Sequence, residues 1–149
     1  MTVIGGGSTY TPDLIAGFIA RAASLPLTEL WRRWIEALCA RDLSRLDELA
    51  EEIFDQDSVV HSPMFPDVGR GPDGAKALAR QVVADFSHVD ITTEDFFGED
   101  DKTVVRITLR STSAATGKTV SFPALTINRW VGDKIAEGWE LYGPPEEQA

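Results

Sequence analysis

The chain has 149 residues, 43% hydrophobic and 26% charged, which is the size and composition of one globular domain. Fourteen Lys and Arg against 24 Asp and Glu leave a net charge of -10, which speaks against the basic face that binding to nucleic acid or an anionic membrane needs. A single cysteine, Cys39, excludes an internal disulfide and a multi-cysteine metal site; with no apolar run of roughly 20 residues and no secretory leader, a soluble cytoplasmic domain is expected.

The first 27 residues differ in character from the rest. Thr2-Val3-Ile4 is a short β-like run ending in Gly5-Gly6-Gly7. Thr11 suits an N-cap and Pro12 the first helical position, so a helix is predicted from Pro12 to about Ala23, broken by Ser24-Leu25-Pro26. A second helix is expected from about Thr28, where Leu30, Trp31, Trp34, Ile35 and Leu38 recur at helical spacing. Arg41-Asp42 interrupts it, and Leu43, Leu46, Leu49 and Ile53 carry a third. The acidic residues Asp47, Glu48, Glu51, Glu52 and Asp55 read as its solvated face.

Ser58 to Ser62 reads as a short strand closed by Pro63, and Pro63 to Pro72 as a loop. Asp73 is placed as the cap of a fourth helix, with Ala75, Leu78, Val82, Val83 and Phe86 inward. After Ser87 the period changes from helical to alternating. Strands are predicted at His88–Phe97, Lys102–Ser111, Thr119–Val131 and Lys134–Tyr142, with a tight turn at Gly132-Asp133 and a polar tail at 144–149.

Helices first and then strands on short connections predict an α+β fold, a curved mixed or antiparallel sheet wrapped over N-terminal helices. In the strand from Thr119, Phe122 and Ala124 make one face apolar, and Leu125 and Ile127 make the other apolar too. Such a strand needs two covers. Helices supply one, and a second copy of the chain is the expected other, giving a homodimer through the sheet.

From about Arg32 to Tyr142 the chain resembles the SnoaL-like polyketide cyclase branch of the nuclear transport factor 2-like superfamily. The residues that carry this are Arg33-Trp34-Ile35-Glu36-Ala37-Leu38, Asp42-Leu43, Asp57-Ser58-Val59-Val60-His61-Ser62-Pro63, Gly71-Pro72-Asp73-Gly74-Ala75, Trp130-Val131-Gly132-Asp133-Lys134-Ile135 and Gly138-Trp139-Glu140-Leu141-Tyr142. The resemblance implies a cone-shaped domain over 28–143 with an apolar pocket. It also implies a small apolar ligand, polycyclic or polyketide-like.

The opening segment resembles something else. Ile4-Gly5-Gly6-Gly7-Ser8-Thr9-Tyr10-Thr11-Pro12-Asp13-Leu14, with Leu27-Thr28-Glu29-Leu30-Trp31, looks like the first βα unit of the NAD-dependent 6-phospho-glycosidases. That unit stops here before its second strand, so no parallel sheet can form around a dinucleotide. No cofactor is therefore expected, and residues 1–27 read as an extension fused to the cone domain.

The superfamily places a few polar groups in the apolar pocket. Steroid-isomerising members use an Asp base with a Tyr and a protonated Asp. Those positions here are Ser62, Trp34 and Thr126, so that mechanism is not expected. Cyclases and epoxide hydrolases of the superfamily use an Asp on the last strand, and its counterpart is Glu140. A carboxylate in a water-poor pocket can shuttle a proton at a carbon next to a carbonyl. The cyclase His position holds Thr126, and the hydrolase Arg and Asp positions fall nearest Arg106 and Thr108.

Glu140 is thus the expected acid-base. Trp34, Val60, Ser62, Phe122, Thr126 and Asn128 are the expected ligand-binding residues, and no metal is expected. Phe65, Phe96, Phe97 and Trp130 are further aromatic candidates for the pocket or the core. The competing reading makes Glu140 a strand-end carboxylate paired with Arg106 or Arg129, and the domain a non-catalytic binding or dimerisation module. His61 is expected to face away from Val60 and Ser62, and His88 to be solvated.

Overall fold

The computed structural model describes residues 27–148, so the helix expected from Pro12 and the glycine turn lie outside the described residues. Among those described, three helices and a six-stranded sheet account for the fold. Helix α1 covers residues 27–40 and buries Leu30, Trp31, Trp34, Ile35 and Ala37. Its opposite face holds Arg32 between Glu29 and Glu36. Arg41, at φ 57, turns the chain, and Asp42 caps α2 (Leu43–Ile53) by accepting the Arg45 N–H at 3.0 Å. Leu46, Leu49, Ala50 and Ile53 form the fully apolar stripe of α2.

Strand β1 (Phe54–His61) begins directly after α2, four residues earlier than Ser58. Phe54 is drawn into the core and meets Trp34 edge to face at 5.3 Å, which is tertiary packing that no local period reveals. Helix α3 (Gly71–Asp85) starts at Gly71, with Pro72 in its first positions. Asp73 lies inside its first turn and does not cap it. Buried Ala75 and Ala79 let α3 approach the core closely.

The remaining strands are β2 (Phe86–Glu99), β3 (Lys102–Ser113), β4 (Thr119–Val131), β5 (Lys134–Tyr142) and β6 (Glu146–Glu147). The order is β1-β5-β4-β3-β2, antiparallel throughout except that β1 runs parallel to β5. The stretch expected as a tail adds β6 to β4, through Val120 and Ser121. Register shifts occur in β2 between Thr93 and Asp95 and in β4 between Arg129 and Trp130. Such bulges bend and twist a sheet, and here they help curl it around the helices.

The concave face carries Val105 and Ile107 of β3, Phe122, Ala124 and Trp130 of β4, and Ile135 of β5, all buried. The convex face leaves Leu125 at 41%, Val131 at 60% and Leu141 at 63% exposure. The described helices therefore cover one side of β4 and leave the other open. No helix among the described residues is long and apolar enough to cross a membrane.

Candidate functional site

Alternation along β3, β4 and β5 sends every second side chain into the cone. The register makes rows of them. Glu140 pairs with Thr126, which pairs with Val105. Tyr142 pairs with Ala124, which pairs with Ile107. Phe122 pairs with Leu109, which pairs with Ile91. These rows form the floor of a cavity of about 100 Å³, roofed by Trp31, Trp34, Ile35 and Leu38 of α1 and by Leu78, Ala79 and Val82 of α3. Met64 and Phe65, from the loop before α3, also border it.

Of the residues expected to bind ligand, Trp34, Phe122 and Thr126 line this cavity, as does Glu140. Ser62 is buried just past β1, and its Oγ accepts the Phe65 N–H at 3.3 Å. Val60 and Ser62 line a wider, open groove with Ile127, Trp139, Leu141 and Glu140. Glu140 thus borders both spaces. Asn128 lies deeper, beside Gly138, and is not among the residues that line the cavity. Of the aromatic candidates, Phe65 borders the cavity and Phe96 packs on the core. Trp130 is core, donating its indole N–H to Thr103 Oγ1 at 2.9 Å, while Phe97 is 58% exposed.

Glu140 pairs with neither Arg106 nor Arg129. Arg106 bonds Asp95 at 2.7 Å, and Arg129 lies 3.5 Å from Glu137. Glu140 instead accepts the Tyr142 hydroxyl at 2.5 Å. Burial, and next the neighbouring carboxylate of Glu140, hold the Tyr142 phenol well above its ordinary range, and a hydrogen bond from Ser62 pulls the other way. Tyr142 also packs edge to face on Phe122 at 5.7 Å. Strand parity places Tyr142 on the Glu140 face, and that was the signal in the sequence for its part in the site.

Thr108 does not enter the cavity. Its hydroxyl donates to Glu94 at 2.9 Å, and Arg106 likewise projects from the convex face; the inward residues between them are Val105 and Ile107. The donor set of an epoxide-hydrolase site is therefore not assembled on β3. His61 is exposed, stacks on Trp139 at 5.7 Å and donates to Glu137 at 2.7 Å, which holds the Glu137 carboxyl below its usual range. His88 is exposed as expected. Cys39 is half-buried, and burial pushes its thiol up.

Comparison with known proteins agrees with this architecture. A family model described as "SnoaL-like domain" matches residues 31–138. The structure of TsrD from Streptomyces laurentii superposes with a TM-score of 0.67 at 22% identity, covering 82% of this chain and 89% of that one. A protein of ketosteroid isomerase-like fold from Catenulispora acidiphila, solved with trimethylamine, gives 0.67 at 15% identity, covering 77% and 85%. A SnoaL-like polyketide cyclase from Agrobacterium tumefaciens gives 0.63 at 15% identity, covering 78% and 91%.

A 31-residue stretch is 58% identical to the 6-phospho-beta-glucosidase of Escherichia coli and equally to a probable 6-phospho-beta-glucosidase of Bacillus subtilis. It is 21% of this chain, which spans only 7% of the length of either of those relatives. The curved sheet, the helices that roof it and the matched span together place this chain in the SnoaL-like domain family, with the nuclear transport factor 2-like fold.

Proposed function

We propose that the cavity binds a small apolar molecule bearing a carbonyl, and that Glu140 moves a proton on it in a cyclisation or isomerisation. The observation that carries this reading is the placement of Glu140. Among the described residues it is the only carboxylate bordering the cavity, and no Lys, Arg or His pairs with it. Its neighbour Tyr142 donates to one oxygen, Oε2, which leaves Oε1 to face substrate. As base, the carboxylate takes a proton from a carbon next to the carbonyl, leaving an enolate. Where a C=C adjoins that carbon the enolate is a dienolate, and returning the proton to its γ-carbon moves the double bond and completes an isomerisation. Alternatively the enolate carbon adds to a second carbonyl and the proton goes to the resulting alkoxide, which closes a ring. Thr126 and Ser62 are the positioning groups.

The test is hydrogen–deuterium exchange at the α-carbons of 2-tetralone, followed by NMR. The protein should accelerate exchange, and Glu140→Gln should abolish the acceleration with circular dichroism unchanged. Equal acceleration by both proteins would remove Glu140 from the chemistry.

The exposed apolar residues Leu125, Val131 and Leu141 favour a second reading of the domain as a dimerisation module. A homodimer through the convex face would bury them and leave the cavity on the other side of the sheet. The two readings are compatible, and the exchange experiment decides whether chemistry accompanies assembly.

A further inference from the structure

Glu140 stands at the partition between two spaces. It borders the apolar cavity under α1 and α3, and it borders the open groove lined by Ser62, Trp139 and Leu141. A glutamate side chain has three rotatable bonds, so a place on β5 does not by itself decide which space receives the carboxylate. In the groove it is a hydrated surface acid. In the cavity, among Trp34, Ile107 and Phe122, it is a base set against an apolar ligand.

Tyr142 decides between them. It borders the cavity and not the groove, and its hydroxyl donates to Glu140 Oε2 at 2.5 Å. Two contacts hold Tyr142 in turn. Its ring meets Phe122 edge to face at 5.7 Å, and its oxygen accepts a hydrogen bond from Ser62. Ser62 Oγ accepts the Phe65 N–H at 3.3 Å, so its own proton is left to give to Tyr142. The donors therefore run in one direction, from Phe65 through Ser62 and Tyr142 to Glu140, and hydrogen bonds in such a series strengthen one another. They tie the carboxylate on β5 to the turn after β1, whose Phe65 also borders the cavity.

We infer that Tyr142 is the positioning residue of Glu140: its hydroxyl holds the carboxylate at the cavity and out of the groove, and Ser62 acts through Tyr142 rather than on the ligand. This role rests on the proton-transfer reading above and adds to it the group that fixes the base. Tyr142 transfers no proton. It keeps its own, and Glu140 Oε1 takes and returns that of the substrate.

The test measures exchange of 2-tetralone against ketone concentration, alongside crystal structures of the wild-type chain and of Tyr142→Phe. Phenylalanine keeps the ring on Phe122 and removes only the hydroxyl. The kcat for exchange should fall about ten- to a hundredfold with KM within about twofold, because the ligand still binds while its base is misplaced. The Glu140 carboxylate should turn into the groove, toward Ser62 and Trp139. Ser62→Ala leaves the packing of Tyr142 intact and should lower kcat about three- to tenfold, the scale of one hydrogen bond. Ser62→Thr, which keeps the hydroxyl, should restore it.

A lowered kcat with the Glu140 carboxylate unmoved in Tyr142→Phe would make the hydroxyl a direct contact to substrate and overturn the positioning role. Unchanged kcat in Tyr142→Phe, whether or not KM rises, would overturn it too. In each of these cases the wild-type protein still accelerates exchange, and the proton-transfer reading stands. No acceleration by the wild-type protein would instead overturn that reading and this role together.

Discussion

The Tyr142 hydroxyl donates to Glu140 Oε2 at 2.5 Å, from two residues further along the same face of β5. The bond joins the carboxylate to a phenol whose ionised form is disfavoured by burial and by that same negative neighbour. The folded phenol therefore keeps its proton above the ordinary value of 10.0. The unfolded chain releases it near that value, so the folded state binds more protons there and stability falls as pH rises past about 10. Phenolate absorbance during a base titration should show a late step, and Tyr142→Phe should remove it. The chain has two tyrosines, so the substitution assigns the step.

The start of α3 depends on two glycines for different reasons. Gly71 sits at φ +69, and a Cβ there would lie 2.4 Å from the Gln56 carbonyl oxygen. Gly74 has an ordinary helical backbone, but its Cβ would lie 1.9 Å from the Gly69 oxygen. Gly71→Ala and Gly74→Ala should each cost about 2–4 kcal/mol in urea unfolding. Gly117, at φ +72 with nothing within 4 Å, isolates the backbone term alone. Gly117→Ala should cost about 1–2 kcal/mol.

Trp130 lies diagonally across the β3–β4 pair from Thr103, which is opposite Asn128, and its indole N–H is satisfied by the Thr103 hydroxyl at 2.9 Å. Thr103→Val keeps shape and removes the acceptor. It should destabilise by about 1–3 kcal/mol, the cost of a buried donor left unpaired, measurable by denaturant titration.

Leu141 and Leu125, on neighbouring strands, point from the convex face and pair in register. If that face joins two copies, Leu141→Asp should convert dimer to monomer in sedimentation velocity while the far-ultraviolet circular dichroism is retained. A wild-type chain that sediments as a monomer at high concentration would sink the homodimer.

Much of this arrangement was legible from local pattern. β4 and β5 follow from strict alternation and from the Gly132-Asp133 turn, where Gly132 takes φ +64. Glu140 was singled out by its correspondence to the last-strand Asp of the family that the sequence resembles. The longer β1 was not legible, because Phe54 joins the strand by pairing with Ile135 and packing on Trp34, contacts that no local period encodes. β6 was hidden for a similar reason: Glu146 and Glu147 have no apolar pattern, and backbone pairing with β4 alone makes them a strand. Arg106 and Thr108 were assigned by alignment to a family pattern, and a one-residue offset reverses the face of every side chain. The bond from Ser62 to Tyr142 joins residues far apart in the chain, and no run of neighbours encodes it.

The parallel pairing of β1 with β5 has a consequence for how the domain is made. Phe54 lies opposite Ile135 and His61 opposite Trp139, although some eighty residues separate them in the chain. Among the described residues β1 has no other strand beside it. During synthesis its backbone groups must wait for a strand partner until almost the last residue of β5 has left the ribosome. Closure of so long a loop is slow, and the half-made domain meanwhile exposes an unpaired strand edge. A nascent chain halted before Lys134 should therefore be protease-sensitive throughout β1, and protection should appear in one step once Tyr142 is included.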